Sequence, residues 1–182
     1  MKVIFNSILI AIFLFCVSFT NKHENDTLLR LMNKRLEVAV LVAKSKWNTK
    51  SPIDDPVREK IILDSVKNKA KKMGIDENLA LDFFQAQFVA GKMIQRQLHG
   101  KWKAENREPF KPTVDLKTQV RPVLDSLTPL LLLELKKLQP NSGNVRLLKR
   151  LKRNARKIIN SDFNDEVVET AIKPIENYSL AK

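Results

Sequence analysis

TLLRLMNKRLEVAVLVAKSKWN, residues 27–48, decides how the chain is read. Laid on an α-helix at about 100° per residue, it puts Arg30, Asn33, Lys34, Glu37 and Lys44 on one face and Leu28, Leu31, Met32, Val38, Ala39 and Val42 on the other. The apolar rows are those of a buried helix, with two exceptions. Arg35 and Lys46 stand among them, about three turns and roughly 16 Å apart along the axis. Burying an unpaired charge costs on the order of several kcal/mol. Two inward cations on one side of one helix therefore require anionic partners, or a hollow that receives an anion.

The next segments repeat the anomaly. IDDPVREKIILDSVKNKAKKM (53–73) reads as a second helix, on which Arg58 shares a face with Ile61 and Ile62, its i+3 and i+4 neighbours, and so leans towards the core. DENLALDFFQAQFVAGKMIQRQLHGKW (76–102) reads as a third, with Phe84, Phe88, Ile94 and Leu98 inside, Gln95 among them, and Lys92 and Arg96 outside. Helices are predicted over roughly 24–48, 54–73 and 76–102, with Gly74 as a C-cap and Asp76 as an N-cap. Three cations and one neutral amide converge on an interior with too few inward carboxylates to pair them.

At these residues the chain resembles a known family. Arg35-Leu36-Glu37-Val38-Ala39, Lys46-Trp47, Ile53, Asp55, Arg58-Glu59 and then Gln95 are similar to the active-site frame of the all-helical chorismate mutases, and the successive spacings of 11, 12 and 37 residues from Arg35 through Lys46 and Arg58 to Gln95 match it without a gap. The N-terminal leader and the extra C-terminal half resemble the secreted, gamma-class members. The likeness is strong over about 27–103 and weaker beyond. It implies an all-α fold of about six helices, and rearrangement of chorismate to prephenate with no covalent intermediate, no cofactor and no metal. It also implies roles. Arg35, Arg58 and a fourth cation, Arg121 in the string RPVLDSL (121–127), would bind the substrate carboxylates, while Lys46 and Gln95 would donate to the breaking ether oxygen, making Lys46, Gln95 and Arg35 the catalytic set. Asp55 and Glu59 would contact the substrate hydroxyl and orient Arg58. Two positions depart from the family: Gln95 stands where some members carry Glu, and Gly91 where Ser or Thr is usual. Pro122 also disfavours α geometry at Arg121.

Outward from this core, residues 1–20 (MKVIFNSILIAIFLFCVSFT) read as a secretory signal peptide, giving a periplasmic or secreted mature protein with no membrane attachment after cleavage. Cys16 is the single cysteine, so the mature chain of about 160 residues has no disulfide and depends on helix packing. Four glycines and no hairpin signals argue against strands. The mature domain, 21–182, divides into a catalytic half (24–104), a linker with two prolines (ENREPFKPT, 105–113) and a helical second half (114–182) in which Asp115 is a candidate N-cap, Pro122 and Pro129 kink or restart a leucine-rich helix, and a last helix runs from about 162 to 178. The pocket is expected within one chain, as monomer or homodimer. A net charge of +13 and the basic run Arg146, Lys149, Arg150, Lys152, Arg153, Arg156 and Lys157 also fit a nucleic-acid or anionic-membrane binder. Export argues against a nucleic-acid partner, and aromatics for base stacking are not interleaved with the basic residues. A helical scaffold that kept the fold without the chemistry is the third reading.

Overall fold

A computed structural model describes residues 24–141 and 143–180. The leader peptide and Cys16 lie outside these residues. The described chain is all-α, with six α-helices and no strand: α1 (Glu24–Thr49), α2 (Pro56–Met73), α3 (Glu77–Ala104), α4 (Arg121–Leu138), α5 (Val145–Ile158) and α6 (Asp165–Leu180).

Local chemistry sets the boundaries. Pro56 opens α2, and the Asp55 carboxylate accepts the Arg58 N–H at 3.1 Å, satisfying one of the helix's orphan donors. Gly74 ends α2 in the left-handed region at φ 67°, where a residue with a Cβ is strained, and the Ile75 N–H returns to Ala70 O at 2.9 Å. Two residues on, the Asp76 side chain caps Asn78 and Leu79 N–H to start α3. Gln139, at the far end of α4, accepts the Asp76 N–H at 2.6 Å and pins this turn to the second half.

The core lies between α1, α3, α4 and α6, with α3 packed most extensively on α6 and α1. Phe83 and Phe84 are fully buried and meet edge to face at 5.5 Å; truncating either to alanine costs about 3–5 kcal/mol. α1 is covered on more than the one face its pattern suggests. Leu29, Leu36 and Ala43 are as buried as Leu28 and Met32, because α4 and α5 cover a second flank. α2 is an outer helix. It fully buries Val66 and Ala70, while Ile61 is 62% exposed, so the expectation that Ile61 shares an inward face with Arg58 is wrong: only Ile62 does. The i+3 row of a helix that packs mainly on one neighbour falls on its wet flank.

Residues 105–115 cross from one half to the other without regular helix and then enter a π-helical turn, Leu116–Val120, capped by Asp115. Arg121 has φ −58° and ψ −43°, so the expectation that Pro122 keeps it out of α geometry is also wrong. The π turn and the helix start accommodate the pair. Arg121 N–H bonds to Leu116 O, five residues back, which holds its backbone in the helical region, and Pro122, in the first turn of α4, gives up an N–H that has no intrahelical acceptor. Pro129 and Pro174 lie inside α4 and α6 without ending them. On α5, Leu151 and Ala155 are buried, and part of the basic face is neutralised by Lys152–Glu176 and Arg156–Asp165, each at 3.1 Å. Among the described residues no helix is long and apolar enough to cross a membrane.

Candidate active site

A cavity of about 140 Å³ opens between α1, α2, α3 and the start of α4. Arg35 and Lys46 reach it from α1, Asp55 from the cap of α2, Arg58 and Glu59 from α2, Gln95 from α3, and Arg121 from the first residue of α4. All seven residues singled out in the sequence line this one hollow. Its apolar wall is Ala39, Val42, Ile53, Ile62, Phe88, Leu116, Val120 and Leu124.

Arg35 is 7% exposed, and its guanidinium lies over the faces of Phe84 and Phe88 at 5.5 and 5.3 Å. Its Nε has no hydrogen-bond partner. Desolvation lowers its pKa to about 10, the charge of Asp125 offsetting a part, so it is still a cation at neutral pH. Aromatic faces supply some of what water would have supplied, and Asp125 acts through its charge without a direct ion pair. Lys46 donates to Ile53 O at 2.7 Å, which folds the 50–53 turn under the end of α1 and leaves the ammonium with further N–H groups for the cavity. Burial pushes the Lys46 ammonium down, against the charges of Asp55, Asp54 and Glu59, with Lys92 adding to the lowering. Neither Lys46, Arg35, Arg58 nor Arg121 is within 4.0 Å of a carboxylate among the described residues. Gln95 is 6% exposed. Its Nε2 donates to Gly91 O at 3.2 Å, one turn back, and its Oε1 is buried without a partner. One amide N–H therefore stays uncommitted beside the unpaired oxygen.

Two details differ from the sequence reading. Glu59 does not contact Arg58; both its oxygens lie 3.0 Å from Lys92 Nζ, because successive residues on a helix point apart. Lys92 faces inward, not outward: its side chain is 17% exposed and lines the cavity. The signal was present, since Lys92 is four residues after Phe88 and three before Gln95, on the same helical face. Gln87 was missed as well. It lines the cavity while donating to Ala171 O at 3.0 Å, and its Oε1 is buried and unpaired. A neutral glutamine on an aromatic-rich helix carries no charge to flag it.

An all-helical domain that holds unpaired cations around one apolar-walled hollow defines a small-molecule anion site of the kind used for electrostatic catalysis. Comparison with known proteins gives the family. Residues 23–96 match the model for chorismate mutase type II. The chain is 34% identical over 73 residues to a chorismate mutase of Methanocaldococcus jannaschii, covering 40% of this chain and 74% of that protein. It is 32% identical over 72 residues to a secreted chorismate mutase of Mycolicibacterium smegmatis, covering 40% of each. Its fold superimposes on the crystal structure of a chorismate mutase from Burkholderia thailandensis with a TM-score of 0.75 and 31% identity, over 85% of this chain and 99% of that one. The chain belongs to the chorismate mutase family.

Proposed function

We propose that this protein is a chorismate mutase, an isomerase that rearranges chorismate to prephenate inside the cavity between α1, α2, α3 and α4. One observation carries the reading: Arg35, Lys46, Arg58 and Arg121 line a single hollow, and among the described residues none has a carboxylate within 4.0 Å. Arg35 is buried and the other three are half-buried, and cations left unpaired in such places are retained where a ligand supplies the missing charge. Chorismate supplies it twice, being a dicarboxylate. Planar guanidiniums at 35, 58 and 121 suit bidentate carboxylate binding and hold the flexible substrate in its folded, reactive conformer. As the ether bond breaks, negative charge grows on its oxygen, and Lys46 and Gln95 are the donors to meet it, stabilising the transition state more than the ground state. Asp55 and Glu59 are the acceptors for the substrate hydroxyl. The rearrangement is intramolecular and moves no proton, so these residues act by position and charge alone.

Export accompanies this reading: the N-terminal leader and the match to a secreted relative support a periplasmic or secreted enzyme. The decisive experiment incubates residues 21–182 with chorismate and follows loss of the diene absorbance. Turnover that Lys46→Ala abolishes is expected. Absence of turnover by a folded protein would refute the assignment.

A further inference from the structure

Among the described residues, the Arg35, Lys46, Arg58 and Arg121 side chains have no carboxylate within 4.0 Å, because the nearby acids are engaged elsewhere. Residues 54–59 bring three carboxylates close enough to act on the Lys46 charge, yet each is engaged by a group other than those four side chains. Asp55 is used by the Arg58 backbone N–H. Asp54 accepts two bonds from Arg96, at 2.9 and 2.8 Å, on the outer side of α3. Glu59 is held by Lys92, 3.0 Å away, and the same ammonium is 3.4 Å from Asp54. Glu59 is also the best shielded of the ion-paired acids here, with a side chain 21% exposed against 56% for Asp54, so its charge is the less screened of the two.

We propose that Lys92 is a positioning residue: by holding the Glu59 carboxylate against α3, it keeps Lys46 unpaired for an incoming dicarboxylate. The proposal rests on reading the cavity as a dianion site. Without Lys92, Glu59 is an uncompensated anion in the hollow that Lys46 also lines. It would pair with Lys46 and repel the ligand, and the apparent affinity would fall with the fraction of molecules in which Lys46 stays open. The loss belongs to ground-state binding, so it appears in KM and in the Kd of a rigid dicarboxylate analogue more than in kcat.

The test compares wild type, Lys92→Met, Lys92→Arg, Glu59→Gln and the double variant Lys92→Met/Glu59→Gln, measuring chorismate kinetics and calorimetric binding of a rigid bicyclic dicarboxylate, with helical circular dichroism to establish folding. Lys92→Met is expected to raise KM and the analogue's Kd about tenfold, Lys92→Arg to restore both to within about threefold, and Lys92→Met in the Glu59→Gln background to change either by less than about twofold. A tenfold loss that persists when Glu59 is neutral would mean the ammonium acts on the ligand directly, and would overturn the proposal; so would a Lys92→Met variant with the affinity of wild type. A wild-type protein that neither binds the analogue nor turns over chorismate would instead refute the functional reading beneath it.

Discussion

Asn48 and Phe110 exchange two hydrogen bonds: the Asn48 Nδ2 donates to Phe110 O at 2.9 Å, and the Phe110 N–H donates to Asn48 Oδ1 at 2.8 Å. A side-chain amide thus imitates a strand partner and fastens the crossing segment to α1 two residues beyond Lys46. Trp47 adds a bond to Arg107 O at 3.2 Å, and the Phe110 ring packs on Trp102 at 4.6 Å. Through this clasp the first half fixes where the second half begins, and so where Arg121 enters the cavity. Asn48→Ala is expected to lower stability by about 1–3 kcal/mol, since both Phe110 backbone groups lose their partner. It should raise KM as Arg121 loses its register; thermal unfolding and steady-state kinetics check the two effects.

Arg35 is a cation that folding alone does not want. The lowering of its pKa to about 10 corresponds to a penalty on the order of 3 kcal/mol on the charged form. Arg35→Met, which keeps the apolar contact with Phe84 and Phe88, is therefore expected to leave the unliganded protein as stable as wild type or more so, while weakening chorismate binding by a factor of about 10² or more. Chemical denaturation with and without a dicarboxylate ligand reads both; a destabilisation of about 3 kcal/mol or more in the unliganded variant would show that the charge is paired within the protein.

Lys46 has a folded pKa below that of a solvated lysine because of burial. The unfolded chain thus binds more protons between the two values, and this group contributes a stability gain as pH rises through that alkaline window. In the role proposed for it Lys46 acts in its charged form, and the pH dependence runs the opposite way: kcat/KM is expected to fall as pH rises through the depressed value, before a solvated lysine would titrate. Lys46→Met should cost about 10²–10³ in kcat and abolish that alkaline limb. A pH–rate profile of both proteins decides it.

Gln95 donates as a neutral amide, so activity is expected not to fall between about pH 5 and 8, where no donor proton is at stake. Gln95→Glu converts the donor into an acid that must hold its proton, and its kcat/KM should drop as pH rises across the same range. A steep acid-side titration in wild type would contradict the role given to Gln95.

Gly91 lies mid-helix, with space beside it. A Cβ there meets Ala39 Cβ at 3.5 Å, an ordinary van der Waals distance. Gly91→Ala is expected to stabilise the protein by about 0.5–1 kcal/mol through the lower entropy of its unfolded chain. The unfolding midpoint in urea measures it.

What was legible in the sequence was what a helix encodes about itself. The periodicity of 27–48 put Arg35 and Lys46 on the buried face, Gly74 and Asp76 marked the joint between α2 and α3, and the segment boundaries followed from local backbone chemistry. Periodicity fails where the neighbour matters. Ile61 sits on a face that no helix covers, and Lys92, read as solvated, turns into the cavity because Glu59, 33 residues earlier, waits for it.

The order of residues by itself determined six helices and the chemical kind of each inward side chain, since propensity, capping and amphipathic spacing act over a few residues. Only the tertiary structure decided which carboxylates go to which cations, and that a π turn carries Arg121 into the same hollow as Arg35. Ion-pair choice and the meeting of helices depend on distances across the folded interior, and spacing along the chain does not contain them.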